Sequence, residues 1–173
     1  MIENNYISSV KNQFNQYKSL AEKAIDQVPD EKIYWQYNSQ TNSIAIIVKH
    51  LAGNMLSRFT DFYNSDGEKK WRDRDSEFEN ENLSREKLKV LWDKGWDCFF
   101  QVLNGLSAAD LSKVIIIRNE EHTVVEAINR QLTHYASHIG QIIFIAKMAL
   151  DDQWRTLSIP KNASRAFNAK KGL

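Results

Sequence analysis

Two histidines four positions apart, His134 and His138, are the residues of this chain best suited to chemistry. In an α-helix, residues four apart lie on one face with their Cβ atoms roughly 6 Å apart. Two imidazoles so placed can reach one transition-metal ion, at metal–nitrogen distances of about 2.0–2.1 Å for zinc. Two ligands do not define a site, so the spacing alone leaves open that one histidine is a core group and the other is solvated.

The segment that carries both histidines predicts a long helix. Thr123 and Glu126 have the T-x-x-E spacing of a capping box, and no proline follows before Pro160. Apolar residues recur along the segment, so we expect a helix over residues 123–150, about seven turns long. His122, immediately before the cap, is expected to be exposed rather than a ligand.

The composition is typical of a soluble globular protein. The 173 residues are 42% apolar and 26% charged, and the net charge of +1 gives no electrostatic reason to bind nucleic acid or an anionic membrane. No apolar run approaches the ~20 residues of a membrane span, and the N-terminus lacks a signal-peptide pattern. The single cysteine, Cys98, fits a reducing compartment. We expect a cytoplasmic protein with a single domain over residues 1–173.

Three further amphipathic helices are predicted, over residues 3–27, from 43 or 44 to about 63, and 84–104. Cys98 lies in the last of these and is expected to be a small core residue. The β-branched run Val114–Ile117 predicts a short strand or extended segment. Residues 151–173 are expected to form an irregular tail.

The second of these helices carries another histidine, His50, beside its apolar stripe. Its imidazole is either a core group hydrogen-bonded to Asn54, one turn further on, or a third metal ligand. Gly53 is also in this helix, where glycine costs about 1 kcal/mol relative to alanine. We therefore expect Gly53 to permit close approach of another element or a ligand.

Two connections between the helices are unusual. Residues 31–42 carry three aromatic side chains and form either a loop pinned to the helix ends or a wall of a substrate pocket. Residues 64–83 are polar and long enough to cross back along the molecule, so that the second and third helices could run parallel. We expect the charges of this crossover to be solvated, with Trp71 and Phe78 packing it down.

Four helices of about twenty residues predict an all-α four-helix bundle, an architecture that builds metal sites from side chains on facing helices. Several phrases of the chain also resemble the DinB/YfiT-like superfamily of metal-binding four-helix bundles, closest to a branch of unassigned function. They are SIAIIVKHLAGNMLSRFTDF, DGEKKWRDRDSEFE, LWDKGWDCFF, INRQLTHYASHIGQI and the tail SIPK..S..FN, and the resemblance covers essentially the whole length.

The resemblance implies a metal triad of one histidine in the second helix and an H-x-x-x-H in the fourth. These positions fall on His50, His134 and His138, and none is substituted. The resemblance also implies a crossover between helices two and three, and a homodimer.

Three histidine ligands leave coordination positions free for water or substrate. Imidazole suits several metals, and we expect zinc or nickel, with zinc slightly ahead. Such an ion could activate water for hydrolysis or hold a thiol as thiolate. Some relatives in the superfamily are thiol-dependent transferases that use bacillithiol or mycothiol. The resemblance thus implies a metal-dependent thiol S-transferase that acts on small electrophiles with a low-molecular-weight thiol. A metal-dependent hydrolase and a non-catalytic metal- or stress-ligand-binding bundle are the alternatives.

Further residues could support the histidines. Asn54, Gln131 and Gln141 are candidates to orient the imidazoles through their distal N–H groups, or they are simple polar packing. Arg130, one turn before His134, could hold an anionic cofactor or form a surface salt bridge. No Asp or Glu is predicted beside the histidines, so the sequence offers no general base, which counts against a hydrolase of the H-E-x-x-H type. The expected partner is a small-molecule substrate.

Overall fold

The structure, a computed structural model, describes residues 2–172. Helices make up 63% of the chain, and the only sheet within those residues has two strands. The elements in chain order are α1 (Ile2–Ile25), α2 (Ile44–Phe59), α3 (Arg85–Gly105), β1 (Val114–Ile117), β2 (Glu120–Thr123), α4 (Val124–Leu150) and α5 (Ser164–Lys170). None of the helices in residues 2–172 is long and apolar enough to cross a membrane.

The four long helices are present as predicted, with differences at their ends. Ser84 caps α3, and Thr123 forms the predicted capping box with Glu126 at the start of α4. α2 ends at Phe59, earlier than predicted, because the next residues leave helical geometry and Asp61 has a φ of 50°. A residue in the left-handed region cannot continue a right-handed helix.

The predicted strand Val114–Ile117 is β1, and it pairs antiparallel with β2. Arg118 and Asn119 form the two-residue turn with φ of 56° and 62°, the type I′ geometry that suits the twist of a hairpin. β2 has no counterpart among the sequence predictions, because EEHT carries no apolar alternation.

The expectation of an irregular tail over residues 151–173 is wrong in part. It contains α5, a helix of seven residues, none of which is buried. A helix that buries no face leaves no apolar period in the sequence, so the pattern could not reveal it. The last residue of the tail, Leu173, lies outside the described residues.

α2 and α3 lie side by side and run parallel. Near their middles, Gly95 packs so closely on Ala52 that a Cβ atom at Gly95 would lie 2.9 Å from the Ala52 Cα. Further along, the Thr60 hydroxyl at the end of α2 lies 3.7 Å from the Cys98 sulfur. Residue numbers rise together along both helices, which is the direction that a long crossover allows.

The four long helices meet in the core around Tyr135, which is fully buried. Its ring lies 5.9 Å from that of Phe14 on α1 and 5.7 Å from that of Trp96 on α3. Its hydroxyl donates to Asn54 Oδ1 on α2 at 3.2 Å. One side chain of α4 therefore contacts the three other long helices, and it is the neighbour of His134 in the chain.

Gly95→Ala is expected to destabilise the fold, because the new methyl group would press against the α2 backbone at Ala52. Overpacking of this kind costs about 1–3 kcal/mol. Gly140→Ala is the matched control in α4, where no atom lies within 4 Å of the added Cβ. There the better helix propensity of alanine should stabilise by up to about 1 kcal/mol. Equilibrium urea unfolding measures both, and a stabilising Gly95→Ala would contradict the close packing.

Candidate metal centre

The three histidines that the sequence singles out converge in the structure. The Nε2 atom of His134 lies 3.1 Å from Nε2 of His138 and 3.3 Å from Nε2 of His50. The candidate ligand atoms of the three residues all lie within 4.8 Å of one another. No other set of His, Cys, Asp and Glu side chains in residues 2–172 is grouped in this way.

The nitrogen separations match a shared metal ion. Tetrahedral zinc with metal–nitrogen distances of about 2.0–2.1 Å places neighbouring ligand atoms about 3.3–3.4 Å apart. The separations of 3.1 and 3.3 Å are close to this value. The residues present therefore fit such an ion.

The hydrogen bonds at the far side of two rings strengthen this fit. His50 Nδ1 lies 3.0 Å from the carboxylate of Glu77, and His138 Nδ1 lies 3.3 Å from Oε1 of Gln141. Each Nδ1 faces an acceptor to which it can donate a proton, and Nε2 of a neutral ring with that tautomer is left with a lone pair. Both lone pairs face His134 Nε2, which can donate to one of them at most. A cation satisfies all three nitrogens at once, whereas hydrogen bonds among the three rings cannot.

The environment also favours the neutral form of two of the rings, His134 and His138. Burial is the main cause that lowers the pKa of His134 to about 3, and the electrostatic influence of His138, His50 and Arg130 lowers it further. Burial likewise lowers the pKa of His138, with a further contribution from His50. Metal ligation requires deprotonated imidazole nitrogens, so these two side chains are ready to bind at neutral pH.

The carboxylate that holds His50 belongs to Glu77, a buried residue of the crossover. Arg72 donates to it twice, from Nε at 2.7 Å and from Nη2 at 2.9 Å. Burial alone would raise the pKa of Glu77, but the hydrogen bonds from His50 and Arg72 outweigh it and lower the pKa. The ionised carboxylate orients the imidazole, as acidic groups behind metal-bound histidines do.

Glu77 corrects two expectations from the sequence. The charges of residues 64–83 are not all solvated, and an acidic side chain does lie beside the histidines. The crossover folds back onto α2, so that the Phe78 ring lies 5.1 Å from the His50 ring. Trp71, expected to pack the segment down, is exposed instead.

Gly53 makes room for the carboxylate. A Cβ atom at Gly53 would lie 2.1 Å from Oε1 of Glu77, so only glycine fits at this position without moving the acid. The expected close approach at Gly53 is confirmed, and the approaching element is the crossover. This glycine, one turn after His50, was the available signal that something lies against the histidine.

The three other polar candidates have different roles. Gln141 contacts His138 as expected, but Asn54 accepts a hydrogen bond from Tyr135 and does not serve His50. The side-chain amide of Gln131 is buried and has no hydrogen-bond partner within the part of the chain that the structure describes.

The remaining candidates lie outside the triad. Arg130 is exposed and forms no ion pair with a described residue, although its charge acts on His134. Cys98 contacts Thr60. His122 is half-buried, not exposed as predicted, with Nε2 3.9 Å from a Glu120 carboxylate oxygen, and it takes no part in the triad.

The helical fold and the histidine triad define a helical protein with a candidate metal site. Comparison with known families matches residues 1–163 to the family described as "Protein of unknown function (DUF1572)", so the chain belongs to that family. No curated protein and no solved structure matches the chain. Membership of the DinB/YfiT-like superfamily stays a prediction.

Glu77→Gln is expected to weaken metal binding by about 10–100-fold, the usual effect of removing a group that orients a histidine ligand. The amide keeps the size of the side chain but loses the charge that Arg72 and His50 engage. Competition with a chromophoric chelator measures the affinity, and circular dichroism confirms folding. Asp75→Asn, which removes an exposed carboxylate from the same crossover, is the control.

Gly53→Ala provides an independent route to the same loss, because its methyl group would displace the Glu77 carboxylate. Combined with Glu77→Gln it should add little, since both changes remove one interaction. Gly140→Ala should bind metal as the parent does. Parent-like affinity in Glu77→Gln, or full additivity of the two changes, would contradict the role given to Glu77.

Proposed function

We propose that this chain is a metal-dependent enzyme whose ion is held by His50, His134 and His138. The observation that carries the proposal is the convergence of three Nε2 atoms that hydrogen bonds among the three rings cannot all satisfy. An all-imidazole set suits zinc and nickel, and zinc is favoured because three protein ligands are the usual number at catalytic zinc sites.

We further propose that the reaction is transfer of a low-molecular-weight thiol, of the bacillithiol type, to small electrophiles. Three protein ligands are the pattern of catalytic zinc sites, in which a position is left open. His134 and His138 are only half-buried, so the site is accessible from one side. A bound ion would supply Lewis acidity that keeps a thiol sulfur in its nucleophilic thiolate form. The resemblance to thiol-dependent members of the DinB/YfiT-like superfamily favours this chemistry.

The arrangement of the helices supports the same family relationship. Parallel α2 and α3, joined by a crossover that reaches the site, are what the DinB/YfiT-like four-helix bundle implies. We propose that fold for this chain. The homodimer that the resemblance implies stays a prediction.

The residues around the triad have defined roles in this proposal. Glu77 and Gln141 orient His50 and His138, and the lowered pKa of His134 keeps its ring neutral. Arg130 is placed to attract an anionic group of the thiol. In the reaction, sulfur bonds to the electrophilic carbon, the leaving group departs with the electrons of its bond, and the thiol proton passes to solvent.

A hydrolase has less support, because it would need a base to activate water. Glu77 is the carboxylate in contact with the triad among the described residues, and Arg72 and His50 already engage it. Its lowered pKa makes it a weak base.

The parent protein, purified without chelator, should hold about one equivalent of zinc or nickel, because three converging imidazoles form one site. Mass-spectrometric metal analysis should show that His134→Ala loses the metal, whereas His122→Ala, which alters a histidine outside the triad, retains it. The loaded parent should then consume monochlorobimane only when a thiol is added, with release of chloride.

Three results separate the alternatives. No metal in the parent even after reconstitution would contradict the site itself. Metal with ester or amide cleavage in the absence of thiol would assign a hydrolase. Metal without turnover of any electrophile by bacillithiol would leave a binding protein and contradict the proposed transferase.

A further inference from the structure

A groove lies between the connection 31–42 and the C-terminal half of α4. Its volume is about 710 Å³, within the range of about 300–1,000 Å³ that is usual for small-molecule sites. Trp35 and Tyr37 come from the connection, and Phe144, Ile145 and Met148 come from α4. None of the described residues that line the groove is charged.

Three large apolar side chains that line the groove are exposed. Tyr37 is 73% exposed, Phe144 is 64% exposed and Met148 is 50% exposed. Single exposed apolar residues need no explanation, but a group of them around a concave surface marks a binding site.

The groove adjoins the metal centre through Gln141. Gln141 lines it, and the Oε1 atom of the same side chain lies 3.3 Å from His138 Nδ1. Ser137, the residue before His138, also lines it. A molecule at this end of the groove therefore contacts the side chain that orients one histidine of the triad.

Hydrogen bonds hold the connection 31–42, which forms the side of the groove opposite α4. Lys32 donates to the carbonyl of Ala149 at 2.7 Å, which ties the connection to the end of α4. The Ile33 carbonyl accepts from the Ala45 amide at 3.1 Å, and Asn38 closes a turn by accepting from the Gln40 amide at 2.9 Å. A preformed wall reduces the entropy that binding must overcome.

We propose that this groove binds the uncharged aromatic part of the substrate, so that the electrophile is a neutral aromatic or polycyclic molecule. The inference rests on the proposed function and names its substrate class. An ionised group would lose its hydration in the groove without a charged partner. Aromatic rings, in contrast, can stack on the rings of Trp35, Tyr37 and Phe144 or contact them edge to face. The electrophilic carbon is then held near His138.

The test is a fluorescence titration with N-phenyl-1-naphthylamine, an uncharged aromatic dye, on metal-free and metal-loaded protein. We expect saturable binding to one site in both forms. Phe144→Ser should weaken binding about tenfold or more, because it removes an aromatic ring from the lining of the groove. Val90→Ser, which removes a 65% exposed apolar residue from α3, is the control and should leave binding unchanged.

The sulfonated analogue of the dye should bind about tenfold or more weakly, because its charge has no partner in the groove.

Several outcomes would overturn the inference. They are the absence of saturable binding, equal effects of Phe144→Ser and Val90→Ser, and equal affinity for the charged dye. A dimer in sedimentation velocity that Phe144→Ser dissociates, with dye bound only by the monomer, would assign the groove to a second copy of the chain. Dye binding needs no metal, so a failure of the metal site alone would leave this result intact, and the two proposals can fail separately.

Discussion

A carboxylate buried against a histidine is the interaction on which the site depends. Removing Glu77 from water has a large free-energy cost, which is offset only because Arg72 and His50 both donate to it. The same contact requires glycine at position 53, since any side chain there would occupy the space of the acid. The position of one candidate metal ligand is thus linked to the path of the crossover.

The crossover in turn explains why α2, the most buried helix, carries polar side chains inward. Ser57 donates to the Gly67 carbonyl at 2.8 Å, and Lys49 donates to the Glu79 carbonyl at 2.7 Å. These groups satisfy loop backbone that no regular element pairs. The Gly67 amide donates to the Ile116 carbonyl on β1 at 2.8 Å, so the hairpin fixes the same segment from the other side.

Features that depend only on residues close together in the sequence could be predicted. The capping box at Thr123 and the spacing of His134 and His138 act within a few turns, and the structure contains both features as expected. Glu77 could not be found in this way, because its contact with His50 spans 27 positions and lies in a segment with the composition of a solvated loop. Whether Asn54 is the partner of His50 could not be predicted from their spacing, because Tyr135 on another helix donates to Asn54 instead.

α4 presents different chemistry on the two sides of the triad. Arg130, one turn before His134, is a cation without an ionic partner among the described residues, whereas the groove beyond Gln141 has no charged lining. An anionic molecule is attracted to the first side, and an uncharged apolar molecule leaves water most easily on the second. Under the proposed function, the charged thiol and the neutral electrophile would therefore approach from opposite directions and meet at the histidines. A hydrolase needs no such division, since water is its second reactant.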